Sequence, residues 1–556
     1  MSTLTSVSQS TFPVRWDEPF DDGPAFMFDA MHMPHPLTPL SHAAAEATNH
    51  GFGAVAVELD LPIRAFEGRQ RNGYRFNRTV VQEPASEAEA RAMGEAAEAT
   101  ARREIGLMME RWHGEHLPRI QALLRRLQAL AVADASDAEV GAMLDEAITI
   151  TEELWTIHFR IAFPMLLSMQ LFDEFYVDLF GGTDADAHAL LLGAVSSSVE
   201  AGFGLADLAT FARDAGLAAL FRDTDIDRLL PALEASEQGR AFLAELRAYL
   251  DTYGLRQDLF ELATPTWQED PSFALASIRN YLIVNRDPRA EHADRARSAA
   301  AAAENARTQL TRYPAAVREQ FEAMLQLARL GAFLQEEHNF WIDQQGFAIL
   351  RLFYLNVAQR LVDNGKLSQP DDVFMLSADE LRELATGDPA TRDTDWQAVV
   401  ARRRDELAAA WDLTPPPFIG PPPEAPTGES PLERGMLRFF GVPPQPSSSP
   451  DELRGTPGAR GVASGPARVA RTLEEARDLL PGEILVTVTT MPPWTPLFGV
   501  AAAVVTESGG PLSHCAIVAR EYGIPAVVGA FGATSAISSG QQITVDGGRG
   551  LVKLEG

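Results

Sequence analysis

Cysteine is almost absent from this chain of 556 residues: Cys515 stands alone. No internal disulfide can form, and a reducing compartment is expected. Lysine is nearly as scarce, with Lys366 and Lys553 set against 45 arginines. A phosphate loop of the Gly-Lys-Ser/Thr kind is therefore excluded, since Gly365-Lys366-Leu367 is not one. No apolar run approaches the roughly 18 residues of a membrane span. The first thirty residues contain Phe12, Trp16, Asp17 and Glu18 but no basic-then-apolar signal pattern. Positive charge is also in deficit, with a net charge of −30 that would repel nucleic acid or an anionic membrane. These absences predict a cytoplasmic protein with neither nucleic acid nor membrane as partner.

With 46% apolar and 22% charged residues, the chain reads as globular, and its length predicts two to four domains. Charge is unevenly spread: 452–556 carries 8 basic and 9 acidic residues, a net of −1, which leaves −29 on the rest. Residues 1–86 read as an irregular part with short strands over Val55–Leu61 and Tyr74–Val81, packed on the helical region. From 87 to 412 the pattern is helical. Leu117, Ile120, Leu123, Leu124, Leu127 and Leu130 form one apolar stripe, and similar stripes recur to about 331. A proline-rich region, 413–451, with runs at 414–426 and 443–450, predicts a semi-rigid spacer. Beyond it, strands over Glu483–Thr487, Ala502–Thr506, Ala526–Val528 and Gln542–Val545 alternate with helices Leu473–Leu480 and His514–Tyr522. The fold class expected is multidomain: a mainly helical region, then a small α/β domain at 452–556.

The stretch that carries chemistry is Thr506-Glu507-Ser508-Gly509-Gly510-Pro511-Leu512-Ser513-His514-Cys515-Ala516-Ile517-Val518-Ala519-Arg520. It follows a strand and opens a helix. Gly509 and Gly510 permit a tight turn, and Ser513 is placed to cap the helix. His514 then stands in the first turn, where unpaired amides and the helix dipole favour an anion. A neutral imidazole there can attack phosphorus and hold the resulting dianion. The bland alternative is a satisfied histidine at a helix start.

Thr506, Gly509, Gly510, Ser513, His514 and Arg520, followed by Gly523-Ile524-Pro525-Ala526-Val527-Val528-Gly529, decide between these. This pattern strongly resembles the phosphohistidine, or PEP-utilising mobile, domain of PEP synthase, pyruvate phosphate dikinase and rifampin phosphotransferase. Tyr253-Gly254-Leu255-Arg256 and Thr264-Pro265-Thr266-Trp267-Gln268-Glu269-Asp270-Pro271 resemble, more weakly, the helical substrate domain of rifampin phosphotransferase. The resemblance implies a swivelling domain whose His514 carries a phosphoryl group between two sites. It also implies a dikinase-type reaction drawing on ATP and Mg2+. No ATP-grasp pattern is legible in 87–410, and no PEP/pyruvate barrel follows the motif. A separate ATP-grasp subunit is therefore expected to hold the nucleotide, with no cofactor bound tightly to this chain. That split arrangement resembles phenylphosphate synthase and 4-methylphenyl phosphate synthase, implying phosphorylation of a small phenolic hydroxyl in aromatic compound catabolism. The alternatives are a bulkier alcohol or antibiotic of rifampin type, and a non-catalytic regulatory protein.

For the acceptor, Glu336-Glu337-His338-Asn339-Phe340-Trp341-Ile342-Asp343 is expected to open a helix running to about Leu361. At 100° per residue, His338 shares a face with Trp341 and Ile342, while Glu336, Asn339 and Asp343 share another. Apolarity nearly all round predicts burial, and buried carboxylates need a reason. They either pair with arginines or form a substrate edge of Glu336, Glu337, Trp341 and Asp343. On the second reading His338 or one of the carboxylates takes the hydroxyl proton. Arg256 is a candidate phosphate or carboxylate ligand, against surface salt bridging. His35 belongs with His32 and His42 to a proline-rich stretch and reads as pocket lining, since the spacing fits no metal motif. His113 and His116 are expected at a helix junction, and His158 on an apolar core stripe.

Overall fold

Helices dominate residues 87–410, and the strands of the described residues gather into two sheets, one of four strands and one of eight. The computed structural model describes residues 12–17, 23–258, 260–284, 287–391, 393–422, 431–441, 449 and 451–555. The fold is multidomain, with a large helical region followed by a C-terminal α/β segment. Contacts divide the chain into two compact units, each discontinuous in sequence. The first comprises Met1–Ala162, Leu259–Thr264 and Trp341–Ala425; the second comprises Phe163–Asp258, Pro265–Phe340 and Pro426–Gly556.

In the first unit the strands Ile63–Arg71 and Tyr74–Val81 form a hairpin through Asn72 and Gly73, both at positive φ. Such a pair supplies the turn whose twist matches the strands. Phe26–Phe28 pairs with the second strand and with Phe418–Ile419. The strand expected over Val55–Leu61 is instead the end of a 20-residue helix, Pro39–Glu58. Its alanine-rich stretch propagates the helix through Val55 and Val57, and a short apolar run does not by itself separate strand from helix. The N-terminal part is accordingly less irregular than expected. His113 and His116 fall in a wide turn, Trp112–His116, between helices Glu87–Arg111 and Leu117–Gln128.

The second unit joins the helices of 197–338 to one eight-stranded sheet. Its centre is parallel, running Val462–Val469, Ile484–Thr487, Ala503–Thr506, Ala526–Val528. Antiparallel strands flank it on both sides. Val486, Ala503, Val504, Val505 and Val527 are wholly buried, the continuous apolar run of strands covered on both faces. The helix expected at Leu473–Leu480 is shorter, Leu473–Ala476. Within the expected spacer lies a helix, Pro431–Phe440. The rest of the proline-rich runs, 423–430, 442–448 and 450, lies outside the described residues.

Candidate functional site

The strand Ala503–Thr506 delivers the chain to the loop 507–513, at the carboxyl end of the parallel strands, where ligands of α/β sheets bind. The loop is held by backbone and side-chain hydrogen bonds together. Thr506 Oγ1 donates to the Ser508 carbonyl at 2.8 Å, and Ser508 Oγ donates to Val488 O at 2.9 Å. The Gly510 and Leu512 amides donate to the carbonyls of Phe439 and Arg438, at the end of the helix Pro431–Phe440. Gly509 has φ +93°, and a Cβ on Gly510 would fall 2.1 Å from the Arg438 carbonyl. Both positions therefore require glycine. Arg520 donates to Gly458 O at 2.8 Å and to Pro511 O at 2.6 Å, so it buckles the loop closed. Burial pulls its guanidinium down to about 10.

The helix His514–Tyr522 then begins. Ser513 has the extended backbone of a cap, but its Oγ, expected to bond the first turn, has no partner among the described residues. Cys515 is buried and its thiol pushed up to about 12 by burial, so it stays protonated and packs as a small residue.

His514 is 6% exposed, and its Nδ1 lies 3.2 Å from Glu336 Oε1. Burial alone would raise the Glu336 carboxyl; His514 beside it outweighs that and holds it below its ordinary value. An ionised carboxylate only accepts, so the proton of this hydrogen bond belongs to Nδ1. Nε2 has no hydrogen-bond partner among the described residues. Phe498 stands edge-on to the imidazole at 6.4 Å. The arrangement is a histidine oriented through Nδ1, whose neutral form would offer its outer nitrogen as a nucleophile.

No local pattern announces this pair, because 178 positions separate its members. Glu336 does not open a helix either: it lies near the end of Ala315–His338, and a wide turn, Asn339–Gly346, follows before Phe347–Asp363. The extra residue per turn breaks the 100° phase on which the two predicted faces relied. Glu337 accepts from Ser197 N at 2.5 Å and from Ser197 Oγ at 3.2 Å, so it closes the start of the helix Ser197–Asp214. His338 is buried and its Nδ1 donates to Leu334 O at 2.6 Å. Arg256, at 1% exposed, is no surface salt bridge; it lies in the same unit, over Trp267 and Phe340.

Trp341, Asp343 and His35 belong to the other unit. There Asp343 accepts from His158 Nδ1 at 2.9 Å, while His35 stacks on Trp411 at 4.6 Å. His158, read as plain core, therefore has a carboxylate partner. An open cleft of about 530 Å3 in the second unit is lined by charged side chains including Glu174, Asp184, Arg434 and Arg438, and none of the predicted site residues lines it.

Residues 479–550 match the family of the PEP-utilising enzyme mobile domain. That segment is similar to a PEP-utilising mobile domain. Residues 158–336 match the fourth domain of rifampicin phosphotransferase. Among curated relatives, the chain is 35% identical over 552 residues to chondramide synthase cmdD of Chondromyces crocatus, covering 98% of this chain and 14% of that one. It is 29% identical to the uncharacterized phosphotransferase YvkC of Bacillus subtilis, over 71% of this chain and 47% of that one. To the rifampicin phosphotransferase of Streptomyces sviceus it is 33% identical, over 56% of this chain and 34% of that one. The chain thus spans under half the length of each of these relatives. No helix among the described residues is long and apolar enough to cross a membrane.

Proposed function

We propose that His514 takes a phosphoryl group and passes it to the hydroxyl of a small acceptor. The observation that carries this reading is the buried His514–Glu336 pair, with Nδ1 engaged and Nε2 left without a partner. In the first half-reaction Nε2 attacks a phosphorus of ATP, the N–P bond forms and the P–O bond to the nucleotide breaks. In the second, the acceptor oxygen attacks that phosphorus, the N–P bond breaks and the hydroxyl proton passes to a base. Glu336 holds the ring in one tautomer throughout and balances the imidazolium character that develops as the N–P bond forms. His338, whose Nδ1 donates to Leu334 O, is the acceptor-side base of this proposal.

Among the described residues no three metal-ligating side chains converge. ATP and Mg2+ belong in this reading to an ATP-grasp subunit separate from this chain. The phenolic acceptor is supported by the aromatic wall of Tyr253, Trp267 and Phe340 behind Glu336. A bulkier hydroxyl compound is the second reading, favoured by the match of 158–336 to rifampicin phosphotransferase.

Phosphoramidate, a small donor that phosphorylates histidine without a nucleotide module, tests the first half. Acid-labile, base-stable phosphate is expected on His514 and absent in His514→Ala. Subsequent addition of phenol is expected to release phenyl phosphate, visible by phosphorus NMR. Label on serine or a carboxylate, or undiminished label in His514→Ala, refutes the mechanism.

A further inference from the structure

Arg256 is buried between two aromatic rings, with Cζ 4.9 Å from the Trp267 centroid and 5.5 Å from that of Phe340. Three other buried arginines among the described residues are matched. Arg75 pairs with Glu46, Arg403 with Glu380, and Arg351 donates to Leu262 O. Arg256 differs. Its Nε and Nη2 have no hydrogen-bond partner among the described residues, and neither has Nε1 of Trp267. The ionisable groups acting on it are the phenols of Tyr249 and Tyr253, with no carboxylate among them.

A guanidinium and an indole N–H only donate hydrogen bonds. Three buried donors without acceptors cost far more than they return, unless a group that only accepts is brought to them. An oxyanion is such a group, and a planar guanidinium suits phosphate. Phe340 follows Glu336 by four residues, about 6 Å along a helical path. The stacked arginine therefore belongs to the same stretch of the second unit that holds His514.

We propose that Arg256 and Trp267 form an oxyanion subsite for phosphate, either free or as the phosphate ester of the acceptor. The choice of phosphate rests on the phosphotransfer reading; the need for an anion rests on the orphaned donors alone.

Calorimetric titration of the full chain with inorganic phosphate, phenyl phosphate and acetate tests it. Wild type is expected to bind one or both phosphates more tightly than acetate. Tighter binding of phenyl phosphate identifies the ester as occupant, and tighter inorganic phosphate identifies the free ion. Arg256→Gln should weaken phosphate binding about tenfold or more, the usual weight of a charged hydrogen bond. In phosphate-free buffer the same variant should melt no lower than wild type, because it removes an unmatched buried cation. Trp267→Phe keeps the ring and loses the N–H; weakened phosphate binding is expected there too, and that variant decides if Arg256→Gln does not fold. Equal phosphate affinity in wild type and variants, or acetate bound as tightly as phosphate, overturns the proposal. Labelling of His514 in the same proteins separates the two claims. Arginine-dependent phosphate binding without label would leave the subsite and sink the phosphotransfer, and the converse result would do the reverse.

Discussion

A histidine has two nitrogens, and the side chain opposite decides which one reacts. Here Glu336 binds Nδ1, so Glu336→Gln keeps an acceptor amide but removes the charge that balances the ring as the N–P bond forms. Phosphorylation of His514 by phosphoramidate should slow by about tenfold or more, with the thermal midpoint little changed. An unaltered rate would reduce Glu336 to packing. His338→Ala is expected to leave that labelling intact and cut transfer to phenol by about 10²-fold, the contribution usual for a general base. Wild-type transfer in that variant would place the base elsewhere.

Glu521, seven residues after His514 on the same helix, gives a pH signature. Burial pushes its carboxyl up to about 8, and the nearby Glu336 charge adds to this. A carboxyl raised in the folded state ionises first in the unfolded chain. Stability is therefore full below the ordinary carboxylate range and declines as pH rises from about 4.5 toward 8. Glu521→Gln should flatten that decline, melting about 2 °C or more above wild type at pH 8 and no higher at pH 4.5. Parallel melting curves for the two proteins across this range would refute the assignment.

The helix Pro431–Phe440 lies where the sequence promised only spacer, and it takes the Gly510 and Leu512 amides on its last carbonyls. Arg438 fastens it to Asp173 at 2.8 Å and Asp184 at 2.7 Å, while Arg434 pairs with Glu174. Asp173 is wholly buried and also accepts from His188 at 2.8 Å. Arg438→Ala leaves that carboxylate without its guanidinium, a loss of about 3 kcal/mol or more when a buried pair is broken. The expected outcome is faster hydrogen exchange at the Gly510 and Leu512 amides, read by NMR or mass spectrometry. Unchanged protection there would mean that the glycine loop holds itself.

For the molecule as a whole, a His514 only 6% exposed leads, on the phosphotransfer reading, to the proposal that a donor reaches it after the α/β segment lifts from the helices of its own unit. Exposed ion pairs fasten that segment: Arg460 to Asp186 at 2.8 Å, Arg477 to Asp227 at 3.1 Å and Arg279 to Asp478 at 3.2 Å. Each is worth about 0.2–1 kcal/mol, and salt screens it. Raising NaCl from about 0.1 M to about 0.5 M should therefore speed His514 labelling a few-fold. A rate independent of salt would argue that the histidine is reached without undocking. Spacer 443–450, whose structure lies outside the described residues except Ser449, is proposed to permit that travel. Its deletion should slow turnover and leave the domain folded.

Local patterns suffice where the chemistry is local. Thr506, Gly509, Gly510, Ser513 and His514 stand within nine positions, so turn, helix start and nucleophile were all legible in one stretch. The short Val/Ile/Ala runs of 484–528 likewise predict their strands to within a residue, because burial on both faces demands continuous apolar sequence. The net charge of −30 and the single Cys515 bound the class of protein without any coordinates. Whatever depends on distant pairing was decided by packing. The Glu336–His514 contact, the division of the predicted acceptor residues between two units, and the helix inside the proline-rich region have no local signature. The helical wheel drawn through Glu336–Leu361 failed for a physical reason: one wide turn at Asn339–Gly346 resets the phase, and a 3.6-residue period carries no memory across it. Arg256 shows the same limit. Its type announced a possible anion ligand, but only the folded chain strips it of carboxylates and leaves its donors unmatched.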